Sequence, residues 1–233
     1  MTIVEYNKYS DIIVEFENGD RINTNYQCFQ NGKVKSLYDK SMRGVGYLGE
    51  GTYSPSENKI QYSYWHSMFT RCYDERALER RPTYVDKYVC EEWHNFQNFA
   101  RWFDDNYYDI ENDKMELDKD ILQKCNKVYS PETCIFVPQR INQLFLKSDA
   151  LRGDLPIGVN FQNNKYRARC SIFIDGKKKQ KHIGYYNTPE KAFYEGYKPF
   201  KEAYIKEVAE EYKDSIPSEL YNAMYRWIVE IED

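Results

Sequence analysis

The chain has 233 residues, a formal net charge of −4, 17% aromatic and 30% charged side chains. That aromatic content suffices for small packed cores and excludes a disordered composition. No apolar run approaches the roughly 20 residues of a membrane span, and the start, MTIVEYNKYSDIIVEF, lacks the basic-then-apolar layout of a signal peptide. The length fits one large domain or two to three small ones, with cytoplasm as the expected compartment.

Residues 11–24 are predicted to form a β-hairpin. Ile12-Ile13-Val14-Glu15-Phe16 is the first strand, Asn18-Gly19 is a type I′ turn signal, and Ile22 begins the return. Residues 31–54 hold five of the eleven glycines and are read as a linker, with close approach to a nucleic-acid backbone as the alternative. A helix is expected over 60–80, where Ile60, Tyr64, Met68 and Cys72 make a stripe at i+4 spacing, with Pro82 as the stop. A second helix is expected over 91–106, with Trp93, Phe96, Ala100 and Phe103 on its apolar face and glutamates in its first turn. His66 and His94 lie off the apolar stripes and are read as ordinary surface histidines, a role as general base being the alternative.

Residues 116–146 compress four elements into a short span. Leu117-Asp118-Lys119-Asp120-Ile121 is a strand ending in charge. A polar loop carries Asn126 and a Ser130-Pro131-Glu132 turn, and Cys134-Ile135-Phe136-Val137 is a second strand. Pro138 opens a helix to about residue 146. The outline is ββα. After a linker at Leu151-Arg152-Gly153-Asp154, residues 165–174 alternate strictly. Tyr166, Ala168, Cys170, Ile172 and Ile174 face one way, and Lys165, Arg167, Arg169 and Ser171 the other. This is a strand with one buried and one wet face. Asp175-Gly176 turns toward a third strand carrying Lys181 and His182. Thr188-Pro189-Glu190 starts a helix with Phe193, Tyr197, Phe200 and Tyr204 on one face, interrupted by Pro199, which is expected to kink it. The acidic tail from 206 ends in a short helix over 219–227, with Tyr221, Met224, Tyr225 and Ile228 as its packing face.

Charge is segregated. Residues 163–182 carry Lys165, Arg167, Arg169, Lys177, Lys178, Lys179 and Lys181 against Asp175 alone, whereas 104–120 is acidic. A local basic patch governs phosphate attraction more than the total charge, because salt screens charges beyond about 10 Å. The six cysteines form no Cys-x-x-Cys pair, which argues against a zinc ribbon and for reduced, buried thiols.

With Leu-Asp-Lys in the first strand, Tyr-Ser-Pro-Glu-Thr-Cys before the second, and Asn142 on the helix, residues 116–146 resemble the HNH (His-Me finger) endonucleases of bacteriophage type. The resemblance implies that Asp118 and Asn142 hold a divalent metal, Mg²⁺ or Mn²⁺, and that Asn126 braces the loop. Lys119 stands where that family has its general-base histidine, and near neutral pH a free lysine with a pKa of about 10.4 is a cation rather than a base. Its implied role is to bind or stabilise the scissile phosphate. Residues 156–204 resemble the APETALA-two (ethylene-responsive factor) DNA-binding domain through Gly-Val, Lys-Tyr-Arg-Ala, Ile-Gly-Tyr-Tyr and Thr-Pro-Glu-Lys-Ala. That likeness implies a three-stranded sheet laid in the DNA major groove. Asn160, Arg169, Ser171 and His182 fall at reading or gripping positions, with Lys165, Arg167 and Lys181 on phosphate. His182 replaces the family's tryptophan.

The expected fold is α+β: a small ββα core of HNH type supported by helices, then a three-stranded sheet and helix. The expected divisions are 1–54, 55–150, 151–205 and 206–233. The expected function is a metal-dependent DNA endonuclease of phage or homing type acting on double-stranded DNA, with no membrane partner. The alternative is the same fold without catalysis, serving to bind DNA or to block a host or phage protein. An interaction protein that binds no nucleic acid is a third reading.

Overall fold

A computed structural model describes residues 1–146, 153–174 and 176–232. The chain is α+β and divides into two units, residues 1–107 with 127–133, and residues 108–126 with 134–233.

In the first unit, β1 (Thr2–Lys8), β2 (Asp11–Glu15) and β3 (Arg21–Thr24) make an antiparallel sheet in that order, one strand more than the hairpin expected. Ile12 and Val14 alternate into its buried face. The turn is not type I′. Gly19 alone in it has positive φ (+85°), and Phe16 accepts from the Gly19 N–H at 3.0 Å and donates to the Asp20 carbonyl at 2.9 Å. This is the three-residue loop in which glycine takes the left-handed position. A short helix, α1 (Tyr26–Gln30), follows under an Asn25 cap.

The glycine-rich segment is not a linker. Gln97 donates to the carbonyls of Leu48 (3.0 Å) and Tyr53 (2.9 Å) and accepts from the Tyr53 N–H (3.0 Å). A Cβ on Gly46 would sit 2.8 Å from the Trp65 ring, so glycine is what lets the backbone lie on that side chain.

The first predicted long helix is two: α2 (Lys59–Tyr73) and α3 (Glu75–Arg80), joined at Asp74, whose carboxylate caps Ala77. The core face of α2 is Trp65, Met68, Phe69 and Cys72, at i, i+3, i+4 and i+7. Ile60, expected to join it, is 59% exposed. β4 (Tyr88–Val89) pairs in parallel with β6 (Val128–Tyr129). A 3₁₀ turn at Glu91–His94 precedes α4 (Phe96–Asn106), which starts at the Asn95 cap rather than at the glutamates. Trp93, Phe96, Phe99 and Phe103 are buried, and the Trp65 indole N–H donates to the Trp93 carbonyl at 2.7 Å.

The second unit contains β5 (Met115–Asp118), β7 (Ile135–Pro138) and α5 (Gln139–Phe145). These are followed by an antiparallel sheet ordered β10-β9-β8, from β8 (Val159–Gln162), β9 (Lys165–Ile174) and β10 (Lys177–Tyr186). Leu151 and Arg152 of the expected linker, and Asp175 of the expected turn, lie outside the described residues. The long helix α6 opens at Pro189–Lys191 under the Thr188 cap, widens through a π-helical Ala192–Tyr197, and continues as Lys198–Tyr212. The π turn is where the helix meets Pro199, whose ring would crowd an ordinary α-helical carbonyl four residues back. The last helix, α7 (Ser218–Tyr225), buries Leu220 and Met224. Tyr225 and Ile228, expected on its packing face, are exposed.

The ββα segment and the β8–β10 sheet are not separate domains. Ile135, Val137, Ile141 and Leu144 belong to one hydrophobic core with Val159, Ala168, Cys170, Phe193, Ile205, Leu220 and Met224. The boundary expected near residue 150 therefore runs through a shared core, and the acidic tail is part of it. Among the described residues no helix is long and apolar enough to cross a membrane.

One cation is set into this core. Lys201 of α6 is 8% exposed, and burial pulls its pKa below the usual 10.5, with the nearby Cys170 opposing. Folding then binds protons less well than unfolding, so stability rises with pH from the folded pKa up to the ordinary lysine value. Lys201→Met is expected to stabilise the chain by about 1 kcal/mol and to remove that rise, as read by urea unfolding between pH 7 and 10.

Candidate functional site

β5 and β7 pair antiparallel, Met115 opposite Pro138 and Asp118 opposite Ile135. Alternation places Glu116 and Asp118 on one face with Val137 and Ile135, and Met115 and Leu117 on the other. α5 follows β7 with no intervening loop, and its Ile141 and Leu144 share the core of Ile135 and Val137. The helix therefore covers the Asp118 face. Gln139 in its first turn reaches Glu116 Oε1 at 3.5 Å. Asn142, three residues on, shares the Gln139 side of the helix. It makes no side-chain hydrogen bond among the described residues.

The chain after β5 is fixed by its own polar groups. Asp118 Oδ1 accepts from the N–H groups of Asp120 (2.8 Å) and Ile121 (2.7 Å). Burial pushes the Asp118 carboxyl above the ordinary carboxylate range, opposed by those two bonds. Among the described residues, its Oδ2 has no hydrogen-bond partner.

Lys119 faces away from Asp118 and is 3% exposed. Its Nζ donates to the Asn126 carbonyl at 2.8 Å and to Asp120 Oδ2 at 2.7 Å. Asn126 Nδ2 donates back to the Lys119 carbonyl at 2.9 Å. Asn126 thus braces the loop, but it does so together with Lys119. The ammonium expected on a scissile phosphate is instead inside the loop, because the residue after a strand-end Asp takes the opposite face. Lys119→Met is expected to cost about 2–3 kcal/mol, the scale of charge-assisted bonds whose partners are left unmet, measured as a lower urea midpoint.

His94 Nε2 lies 3.1 Å from the Val89 carbonyl and His66 Nδ1 lies 3.5 Å from Thr70 Oγ1, both within the first unit. Among the described residues no three His, Cys, Asp or Glu side chains are grouped to hold a metal.

The second candidate surface is the β8–β10 sheet. β8 and β9 join through Asn163 and Asn164, both at positive φ (54° and 59°), which sets Gln162 opposite Lys165 and Asn160 opposite Arg167. Ala168 and Cys170 point into the core. Their neighbours Arg167, Arg169 and Ser171 form the outer face, as the alternation required. Across β10, Arg169 stands opposite His182, Ser171 opposite Gln180, and Arg167 opposite Tyr185. Arg167 Nε donates to His182 Nδ1 at 3.1 Å and its Nη1 donates to Gln162 Oε1 at 3.0 Å. Gln180 donates to Ser171 Oγ at 2.5 Å. Arg169 is exposed, and its side chain has no polar partner among the described residues. The Asn160 Oδ1 is buried without a hydrogen-bond partner.

Lys181 is exposed but does not share that outer face. It stands opposite Cys170, and Lys179 opposite Ile172, so both belong to the core-side face of this edge strand. The outer face instead gains Lys178, Gln180 and Gln162. Counting pairs back from the Asp175-Gly176 turn would have found this. The bulge between His182 and Gly184 resets the register only beyond that point.

Comparison with protein-family models, with curated proteins and with solved structures finds no match.

Proposed function

We propose that this chain is a double-stranded DNA-binding protein that grips the duplex with the outer face of the β8–β10 sheet. One observation carries the reading. Lys165, Arg167, Arg169, Ser171, Gln180 and His182 share a single solvent-facing side of a twisted antiparallel sheet whose other side is core. Such a surface suits the major groove, where a guanidinium bonds guanine O6 and N7 bidentately and lysines take phosphates. Arg167 is held by His182 and Gln162, which lowers the entropic cost of presenting it. Fluorescence anisotropy with a labelled duplex is expected to show saturable binding that weakens steeply with salt. Salt-independent binding, or none at low salt, would overturn the reading.

A second reading, metal-dependent phosphodiester hydrolysis, is supported by the strand–strand–helix arrangement. Asp118 offers one uncommitted carboxylate oxygen, and Asn142 lies on the helix over the same face. Mg²⁺ takes one or two carboxylates plus water and phosphate, so this donor set fits a weak site completed by substrate. Bound there, a cation would polarise the phosphate and stabilise the leaving oxygen. Asp118 would hold it and Asn142 would orient it, while Lys119 and Asn126 keep the loop in shape. Supercoiled plasmid with Mg²⁺ or Mn²⁺ tests this reading. Nicking is expected to vanish in Asp118→Asn, a change that keeps Oδ1 for the loop. Absence of nicking with either metal leaves the binding function alone.

A further inference from the structure

The first unit carries a cleft of about 450 Å³ between α2 and α3 whose charge is one-sided. Its walls include His66, Ser67, Thr70, Arg71, Arg80 and Arg81, and no Asp or Glu among the described residues. The side chains come from the polar stripe of α2, opposite Trp65, Met68 and Phe69, and from the end of α3. Arg71 is the most deeply set. Its Nε donates to the Ser67 carbonyl at 3.4 Å, its guanidinium lies 5.6 Å over the Tyr129 ring, and Tyr84 hydrogen-bonds it. Arg80 uses its Nε on the Arg76 carbonyl at 3.0 Å. None of Arg71, Arg80 and Arg81 has a carboxylate partner among the described residues.

This pattern is unusual within the molecule. Arg43, nearby on Thr70, is neutralised by Asp74 at 2.6 Å. A larger cleft in the second unit, about 780 Å³, sets Lys124 and Arg226 against Glu219 and Glu230. Holding a guanidinium out of water without a counter-charge is costly, and three around one concavity repel one another. An anion removes both costs. Planar guanidinium forks with serine and threonine hydroxyls match a tetrahedral oxyanion, and the volume is that of a small-ligand site.

We propose that the α2–α3 cleft binds a phosphate group, with Arg71 at its floor and Arg80 and Arg81 at its rim. The proposal does not rest on the sheet, which belongs to the other unit. The phosphate can come from a nucleic-acid backbone or from a small phosphate ester, and the test separates the two.

The full chain, labelled with ¹⁵N, is titrated with inorganic phosphate at constant ionic strength against chloride. Saturable shifts are expected at the amides of Ser67, Thr70, Ala77 and Arg81. Arg80→Gln and Arg81→Gln, both at exposed positions, are each expected to weaken binding about ten-fold, the equivalent of one charge-assisted bond. Arg71→Gln should abolish it. Non-saturable shifts, shifts reproduced by chloride, or unchanged affinity in both rim variants would overturn the proposal. Displacement of phosphate by a short duplex identifies backbone phosphate as the source. Tighter binding of a nucleoside monophosphate, with no displacement by duplex, identifies a small ester. Loss of the sheet arginines Arg167 and Arg169 should leave the phosphate titration unchanged.

Discussion

Replacing Arg167 and Arg169 together by glutamine is expected to weaken duplex binding about 100-fold at low salt and to reduce the slope of log K against log salt by about 2, one unit per lost phosphate-range cation. The size follows from placement. Both side chains stand on the outer face of β9, one braced by His182 and Gln162, the other exposed. The informative control is Lys179→Gln together with Lys181→Gln. It removes the same charge a few residues away, but from the face that holds Cys170, and is expected to change binding about two-fold through the general field alone. Equal losses in the two variants would mean that charge density, not this face, draws the DNA. If Arg169 reads a base, Arg169→Lys should keep most affinity for random duplex and lose preference for the selected sequence, because an ammonium cannot make the bidentate contact.

The sequence revealed what is local. The period-two pattern of residues 165–174, the Asn18-Gly19 turn, the Thr188 cap and the ββα outline depend on neighbours in the chain, and the structure places each. What failed depends on distant partners. An i+4 run from Ile60 to Cys72 describes one stripe of a helix, but which stripe is buried was decided by Trp65 and Phe69 meeting Phe96 and Gly46. Gly46 and Gly51 read as slack because nothing local shows that Trp65 and Gln97 occupy the space their missing Cβ atoms leave. The boundary near 150 failed for the same reason, since Val137 and Phe193 share a core across more than 50 residues of chain. At the candidate metal centre, Asp118 and Asn142 could be nominated only through the resemblance to HNH endonucleases. That Lys119 turns inward to Asn126 could not, because the direction of a side chain at a strand end is set by the loop that closes over it.

The other large effect is expected at Gly158→Ala. Gly158 precedes β8 with φ +75°, and a Cβ built on it would fall 2.0 Å from the Tyr197 ring, deep in the π-helical turn of α6. Left-handed backbone costs an alanine about 1–2 kcal/mol, and overpacking against a buried ring adds about 1–3 kcal/mol more. A total loss of about 2–5 kcal/mol is therefore expected, its upper end enough to leave a marginal chain largely unfolded at 37 °C. Tyr197→Leu in the Gly158→Ala background is expected to return the steric part and leave the backbone part, so a double-mutant cycle separates them. The consequence reaches the proposed DNA-binding face. The Gly158 carbonyl accepts from the Arg169 N–H at 2.8 Å, so the residue that lets the chain pass over Tyr197 also anchors the strand position whose side chain stands on the proposed DNA-binding face. Partial rescue of stability by Tyr197→Leu without recovery of DNA affinity would show that the geometry at Arg169, and not merely a folded sheet, is what the duplex requires.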